Sequence, residues 1–183
     1  MAQENDVHCQ STSCCSSSEI EHWTKLEKGR IKVNVDAILF AHLDAYGIGW
    51  VVRSDEGACL AAFHHSWCGT VQPLLAKALG LKEVLSWIHK SCLIDIDIEF
   101  DSIVLVQAVI GSSQLYSPFG LIFQDCKDLL SLCKYVSLLT FKRSMNKTNH
   151  FLARSSYSNS GCVVRIVDIP DELQCILLAN LAC

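Results

Sequence analysis

Polar and apolar residues alternate along two stretches of the chain, and each stretch ends in an aspartate. Residues 31–36 read IKVNVD, and residues 94–101 read IDIDIEFD. Alternation with a period of two is typical of a strand with one buried face, so we predict a strand in each stretch, ended by Asp36 and Asp101. Neighbouring strands would bring these two carboxylates together at the rim of a sheet.

The remaining pattern predicts how these two strands are connected. Residues 46–53 and 58–65 are apolar runs joined by the turn SDEG, which indicates two antiparallel strands after the first. We predict helices over 74–89, 102–110, 118–132 and 146–157, and a fifth strand over 135–142. A helix between the third and fourth strands lets the two aspartate strands run parallel and adjacent. The predicted fold is α/β, a five-stranded mixed sheet with helices on its faces.

Length and composition indicate one domain with an extension at each end. The 183 residues are half hydrophobic, enough for one good core. We expect a disordered Ser/Cys-rich tail over 1–20, the folded domain over 21–160, and an apolar C-terminal extension over 161–183 that packs on the domain.

The N-terminus is polar and acidic, and no apolar run reaches the roughly 18 to 20 residues of a membrane span. We therefore expect an intracellular protein, nuclear or cytoplasmic, that is neither secreted nor membrane-bound. The eleven cysteines are then reduced, and Cys92, Cys126 and Cys133, which have apolar neighbours, are expected to be buried thiols.

Charge limits how the chain could bind nucleic acid. It has 15 Lys and Arg against 19 Asp and Glu, so any binding of phosphates must come from a local cluster of basic residues. The basic residues ahead of the first strand are interpreted as a solvated lead-in: Lys25, Lys28, Arg30 and Lys32. The better candidates for phosphate contact cluster at the last strand and helix: Lys142, Arg143, Lys147 and Arg154.

Several short motifs occur in a characteristic order. They are IKVNVDA from residue 31, GIGWVVRSDEG from 47, AKALGLKEVL from 76, EFDS from 99, FKRSMNKTNHFLA from 141, and LLANL from 177. In order and spacing the chain resembles the plant ribonuclease H-like domains related to non-LTR retrotransposons. The resemblance implies the ribonuclease H fold and the activity of type 1 ribonuclease H, an endonuclease hydrolase that cuts the RNA strand of an RNA–DNA hybrid with two magnesium ions.

The resemblance also assigns the site residues. Arg143 and Asn146 fall on family positions, which adds Asn146 to the expected nucleic-acid contacts Lys142, Arg143 and Lys147. Asp36 and Asp101 match the two strand aspartates and would be catalytic and metal ligands, and His150 stands where the family has a fourth aspartate or a histidine. Lys77 departs from the pattern, because the family has a catalytic glutamate there. Glu83 cannot replace it, since six residues along a helix rotate the side chain by roughly 240°. Lys77 could instead pair with Asp36 and Asp101 as a substitute for metal.

The expected function is therefore nucleic-acid binding with RNA–DNA hybrid ribonuclease activity that is reduced or lost. An active site would use Mg²⁺ or Mn²⁺, whereas an inactive one would need no cofactor. The expected partner is an RNA–DNA hybrid or another nucleic acid and not a membrane, and the sequence identifies no particular protein as a partner. Two alternatives stay open: a non-catalytic nucleic-acid or protein interaction module derived from a retrotransposon, and a decaying transposon-derived copy with no selected role.

Overall fold

The computed structural model describes residues 26–111, 118–141, 147–156 and 163–165, so the predicted N-terminal tail and most of the predicted C-terminal extension lie outside the described residues. The elements in chain order are β1 (Ile31–Phe40), a short 3₁₀ turn (Ala41–Leu43), β2 (Ala45–Arg53), β3 (Cys59–Cys68), α1 (Pro73–Ser91), β4 (Ile96–Phe100), α2 (Ile103–Ile110), α3 (Pro118–Leu132), β5 (Val136–Thr140), α4 (Lys147–Ser155) and β6 (Val163–Arg165). Within these residues, none of the helices is long and apolar enough to cross a membrane.

The strands form one mixed sheet in the order β5-β4-β1-β2-β3-β6. β1 pairs antiparallel with β2, and β2 with β3, while β4 is parallel to both β1 and β5. The predicted five-stranded α/β sheet is therefore confirmed. The structure adds a sixth strand, because the short β6 pairs antiparallel with β3 at the sheet edge.

Helix α1 packs on one face of the sheet and carries the main core. Pro73 suits the first helical position, where its missing N–H costs no hydrogen bond. The buried side of the helix, including Leu81 and Leu85, packs with Val33, Val35 and other apolar residues of the strands. This packing fixes the orientation of the whole helix against β1.

The same helix ends at Ser91 and is capped by Cys92, which has φ +52 and donates its N–H to the carbonyl of His89. Cys92 is exposed, so the prediction that it is a buried thiol is wrong. An apolar neighbourhood in sequence does not bury a residue that turns the chain out of a helix. Cys126 is buried as predicted, and Cys133 is partly buried.

Helix α4 packs on the opposite face of the sheet, and two glycines of β2 let it approach closely. A Cβ atom on Gly49 would lie 2.6 Å from the backbone nitrogen of Ala153, and one on Gly47 would lie 2.5 Å from the carbonyl oxygen of Ala153. Since real Cβ atoms do not approach backbone this closely, helix and strand are in direct contact only because both positions lack a side chain. The contact holds the start of α4 over β1.

The face of β1 on the α4 side is polar. Arg30 pairs with Asp97, and Lys32 Nζ lies 2.7 Å from Glu99 Oε1, although Lys32 is almost completely buried. Arg30 and Lys32 are thus joined to β4, and their interpretation as a solvated lead-in is wrong. Lys28 is exposed, and Lys25 lies outside the described residues.

Candidate functional site

The structure brings Asp36 and Asp101 to neighbouring, parallel strands. The pairing of β1 with β4 runs through Asn34 and Glu99, and two more residues in the same register bring Asp36 level with Asp101. Asp36 lies inside β1 and not at its end as predicted, because β2 pairs with β1 as far as Phe40. The two carboxylates therefore meet where β4 stops and β1 continues.

Lys77 reaches this place from the second turn of α1. Its Nζ donates a hydrogen bond to Oδ1 of Asp101 and forms an ion pair with it. The Asp101 side chain is 2% exposed and the Lys77 side chain 17%. Lys77 thus neutralises a buried carboxylate, as the sequence predicted, although its hydrogen bond goes to Asp101 and not to Asp36 as well.

Asp36 is held by two other groups. Its Oδ1 accepts the backbone N–H of Ala37 at 2.8 Å, and its Oδ2 lies 3.2 Å from Nδ1 of His150 in the first turns of α4. Burial raises the pKa of Asp36, and the negative charge of Asp101 raises it further, while Ala37, Lys77 and His150 act in the opposite direction. His150 therefore belongs to the same cluster as the two aspartates.

Two further groups belong to this site, and only Ser102, the last residue of the EFDS motif, carried a signal in the sequence. The N–H of Ala37 is a backbone group, and no side-chain pattern identifies it. Ser102, beside Asp101, caps α2 by accepting the N–H of Leu105 at 3.3 Å, which fixes the chain immediately after the aspartate.

The arrangement does not suit a divalent metal ion. Magnesium needs several oxygen ligands around one point. Here the ammonium of Lys77 contacts Asp101, and both oxygens of Asp36 are hydrogen-bonded to other groups. Across the described ranges, no three His, Cys, Asp or Glu side chains converge on a position that could hold a metal. The predicted Mg²⁺ or Mn²⁺ site at Asp36 and Asp101 thus finds no support in this geometry.

The predicted phosphate contacts are largely beyond what the structure describes. Lys142, Arg143 and Asn146 lie outside the described residues. Lys147 is the first residue of α4, and the placement of its side chain is likewise not described. Their role in nucleic-acid binding stays a prediction.

Comparison with known proteins gives the family and the fold. The reverse transcriptase-like family matches residues 34–156, which include Asp36, Lys77, Asp101 and His150. No curated protein sequence matches the chain.

Three solved structures resemble it. Ribonuclease H1 from Halobacterium salinarum NRC-1 is 19% identical with a TM-score of 0.63, covering 72% of this chain and 100% of that chain. The N-terminal ribonuclease H domain of a Mycobacterium tuberculosis protein is 19% identical with a TM-score of 0.58, covering 70% and 94%. LC11 ribonuclease H1 in complex with an RNA/DNA hybrid is 16% identical with a TM-score of 0.56, covering 70% and 97%. At these identities the likeness shows a shared fold. The chain belongs to the reverse transcriptase-like family and has the ribonuclease H fold.

Proposed function

We propose that this chain is a nucleic-acid-binding domain that binds RNA–DNA hybrids, and that its hydrolysis of the RNA strand is reduced or lost. The observation that carries the proposal is the ion pair between Lys77 and the buried Asp101, at the point where two strand aspartates converge. In the family that the chain resembles, this point holds the metal ions that cut RNA.

The nucleic-acid part of the proposal is supported by the fold and by the sequence motifs. One structural neighbour, LC11 ribonuclease H1, was solved with an RNA/DNA hybrid. The residues that would contact the phosphates here are three basic side chains and one amide: Lys142, Arg143, Lys147 and Asn146. Lys147 is the first residue of α4, and the other three come directly before it in the sequence. Because α4 carries His150, we expect a bound backbone to run beside the aspartates.

Loss of hydrolysis follows from the charge at position 77. Two-metal hydrolysis needs carboxylates that hold both ions against the scissile phosphate. A lysine in place of the glutamate removes one carboxylate and adds a positive charge, a change of about two units of formal charge. Mg²⁺ or Mn²⁺ would be a cofactor only if the ion pair between Lys77 and Asp101 were broken.

A second candidate is a non-catalytic interaction module that binds protein. It is favoured by apolar side chains on the helices after β4: Ile103 and Val104 of α2 are more than half exposed, and Leu121 of α3 is 71% exposed. The motif order further suggests the plant branch related to non-LTR retrotransposons, and hence an intracellular setting, nuclear or cytoplasmic. A decaying copy without a selected role would bind neither nucleic acid nor a protein partner.

The test is binding of a labelled RNA–DNA hybrid, measured by fluorescence anisotropy over a range of salt concentrations. We expect modest affinity that falls with salt, because phosphate contacts release counterions. Replacing Lys142 and Arg143 by Ala should lower the salt slope by about one unit for each lost contact.

The matched control is Lys90→Ala with Lys134→Ala. Both lysines are exposed, and both lie near the opposite end of the sheet from Asp101. An unchanged slope in the Lys142 and Arg143 variant would move the contact surface elsewhere. Absence of hybrid binding would contradict the proposal.

A further inference from the structure

The four side chains of the site are buried to different depths, and the acids are the deeper ones. The side chain of Asp101 is 2% exposed and that of Asp36 is 7% exposed, against 17% for Lys77 and 42% for His150. A molecule that approaches from solvent therefore meets the ammonium and the imidazole before either carboxylate. In a site built to hold metal ions, the carboxylates would instead face the incoming ligand.

The ammonium of Lys77 has donors to spare for such a molecule. A lysine ammonium carries three N–H donors. Among the described residues, Lys77 donates to Asp101 alone. Since the side chain of Lys77 is partly exposed, the remaining donors can serve an anionic oxygen on the solvent side.

The formal charge of the cluster also favours contact with an anion. Lys77, Asp36 and Asp101 together carry a formal charge of roughly −1, whereas a glutamate at position 77 would make it roughly −3. A cluster at −3 repels a phosphodiester unless divalent cations are bound. At −1, with the positive charge outermost, the repulsion is much smaller.

We propose that Lys77 is a built-in cation that contacts a phosphodiester of the bound nucleic acid directly, so that this site binds the backbone without a divalent metal. The inference rests on the proposed function and adds to it a phosphate contact inside the site, separate from the predicted cluster at residues 142–147. The ligand is a phosphodiester of a nucleic-acid backbone.

Chelation is the first test, with the full chain. We expect the affinity of the wild-type protein for a labelled RNA–DNA hybrid to be the same in EDTA and in millimolar MgCl₂ at equal ionic strength. Lys77→Glu should bind at least about tenfold more weakly in EDTA, a loss of roughly 1.4 kcal/mol, and should recover when Mg²⁺ is added. Lys77→Arg keeps the charge and should stay insensitive to EDTA.

The matched control is Lys82→Glu. Lys82 lies on the same helix, and its ion pair is a partly exposed one with Asp125 of α3. The substitution Lys82→Glu changes the charge of α1 by the same amount as Lys77→Glu. We expect its affinity to stay within about twofold of the wild-type value in both buffers. Equal losses in the Lys77 and Lys82 variants would show that only overall charge matters, and would overturn the inference.

A measurement on the unaltered protein avoids dependence on how the variants fold. Amine acetylation followed by mass spectrometry should show that hybrid protects Lys77 from modification and leaves Lys82 as reactive as before. The inference is overturned if the hybrid binds but Lys77 is not protected, or if wild-type binding requires Mg²⁺. If no hybrid binds at all, the proposed function itself fails. If a DNA duplex protects Lys77 as well as the hybrid does, the phosphate contact stands and the preference for hybrid does not.

Discussion

The ammonium of Lys77 contacts Oδ1 of Asp101 and so joins helix α1 to the end of strand β4. Asp101 is the most deeply buried charged group of the site, and removing Lys77 takes away a cation that balances this poorly solvated carboxylate. We expect Lys77→Met to lower the free energy of unfolding by about 2 kcal/mol.

A double-mutant cycle with Asp101→Asn isolates this pair. Since the two groups contact each other, their changes in stability should not add, and the coupling should be about 1 kcal/mol or more by urea unfolding. Additive effects of the two substitutions would mean that the contact contributes nothing to stability.

The second prediction concerns the close approach of α4 to β2. Alanine at Gly49 would place a Cβ atom 2.6 Å from the nitrogen of Ala153 and 2.8 Å from Cβ of Leu152. Because backbone cannot yield as a side-chain tip can, we expect a loss of about 3 kcal/mol, with His150 displaced from Asp36. Thermal unfolding and the histidine ring signals in NMR spectra measure the two effects.

Gly80→Ala is the comparison for that substitution. Its Cβ would meet only side-chain carbons, of Ile48 at 3.2 Å and Val35 at 3.3 Å, and alanine is the better helix former. The change in stability should stay within about 1 kcal/mol. If Gly49→Ala were equally mild, helix α4 would not be seated on the strand as described.

The third prediction is a pH dependence that arises from His64. This histidine of β3 is 6% exposed, its Nδ1 has no hydrogen-bond partner within the described part of the chain, and burial lowers its pKa, with a further contribution from His65. The unfolded chain therefore takes up a proton at a higher pH than the folded protein does. Stability should fall as pH drops below about 6.5, by up to about 1.4 kcal/mol per pH unit, until the folded histidine also protonates.

His64→Gln removes this proton uptake. The difference in unfolding free energy between pH 7.5 and pH 5.5 should be smaller in the variant than in the wild-type protein, because all other titrating groups are common to both. The same pH dependence in both proteins would show that His64 is not buried as a neutral ring.

The fourth prediction separates two thiols. Burial raises the pKa of Cys126 to about 12, and its Sγ donates to the carbonyl of Ala78, whereas Cys92 is exposed at the end of α1. Since the thiolate is the reactive form, iodoacetamide should modify Cys92 readily and Cys126 only after unfolding. Peptide mass spectrometry reads out both sites. Equal labelling rates in the native protein would place Cys126 at the surface.

The alternation of residues 31–36 and 94–101, together with the predicted helix between the third and fourth strands, was sufficient to predict two adjacent parallel strands and the meeting of Asp36 with Asp101. The same alternation carried a second signal that was misread. Lys32 and Asn34 share a face of β1 with Asp36, and Glu99 shares the facing row of β4, so the polar residues are partners across the sheet and not a solvated approach. Whether a charged residue of an alternating strand is buried can be predicted only when its partner on the neighbouring strand is known.

Two other features of the fold, strand β6 and the end of β1, could not be predicted from the sequence pattern. Three residues, Val163–Arg165, are too few to show a strand pattern, and they pair with β3 because that edge is available. The end of β1 could not be predicted from residues 31–36 either, because the apolar residues after Asp36 continue the strand while β4 stops. Side-chain pairing such as that of Lys77 with Asp101 followed from the helix position alone once the family pattern was recognised.

Cleavage of a labelled RNA–DNA hybrid, in Mg²⁺ and in Mn²⁺, compares the wild-type protein with Lys77→Glu and tests the central claim most directly. The glutamate removes the ammonium from Asp101 and restores a carboxylate beside the two aspartates, so the variant should bind metal and cut the RNA strand to a measurable extent. Asp101→Asn added to Lys77→Glu should abolish that cleavage, which excludes a contaminating nuclease. We predict that the wild-type protein binds the hybrid and cuts it at the background rate with either metal. Wild-type cleavage above background and equal to that of Lys77→Glu would contradict the claim that Lys77 prevents metal-dependent hydrolysis at this site.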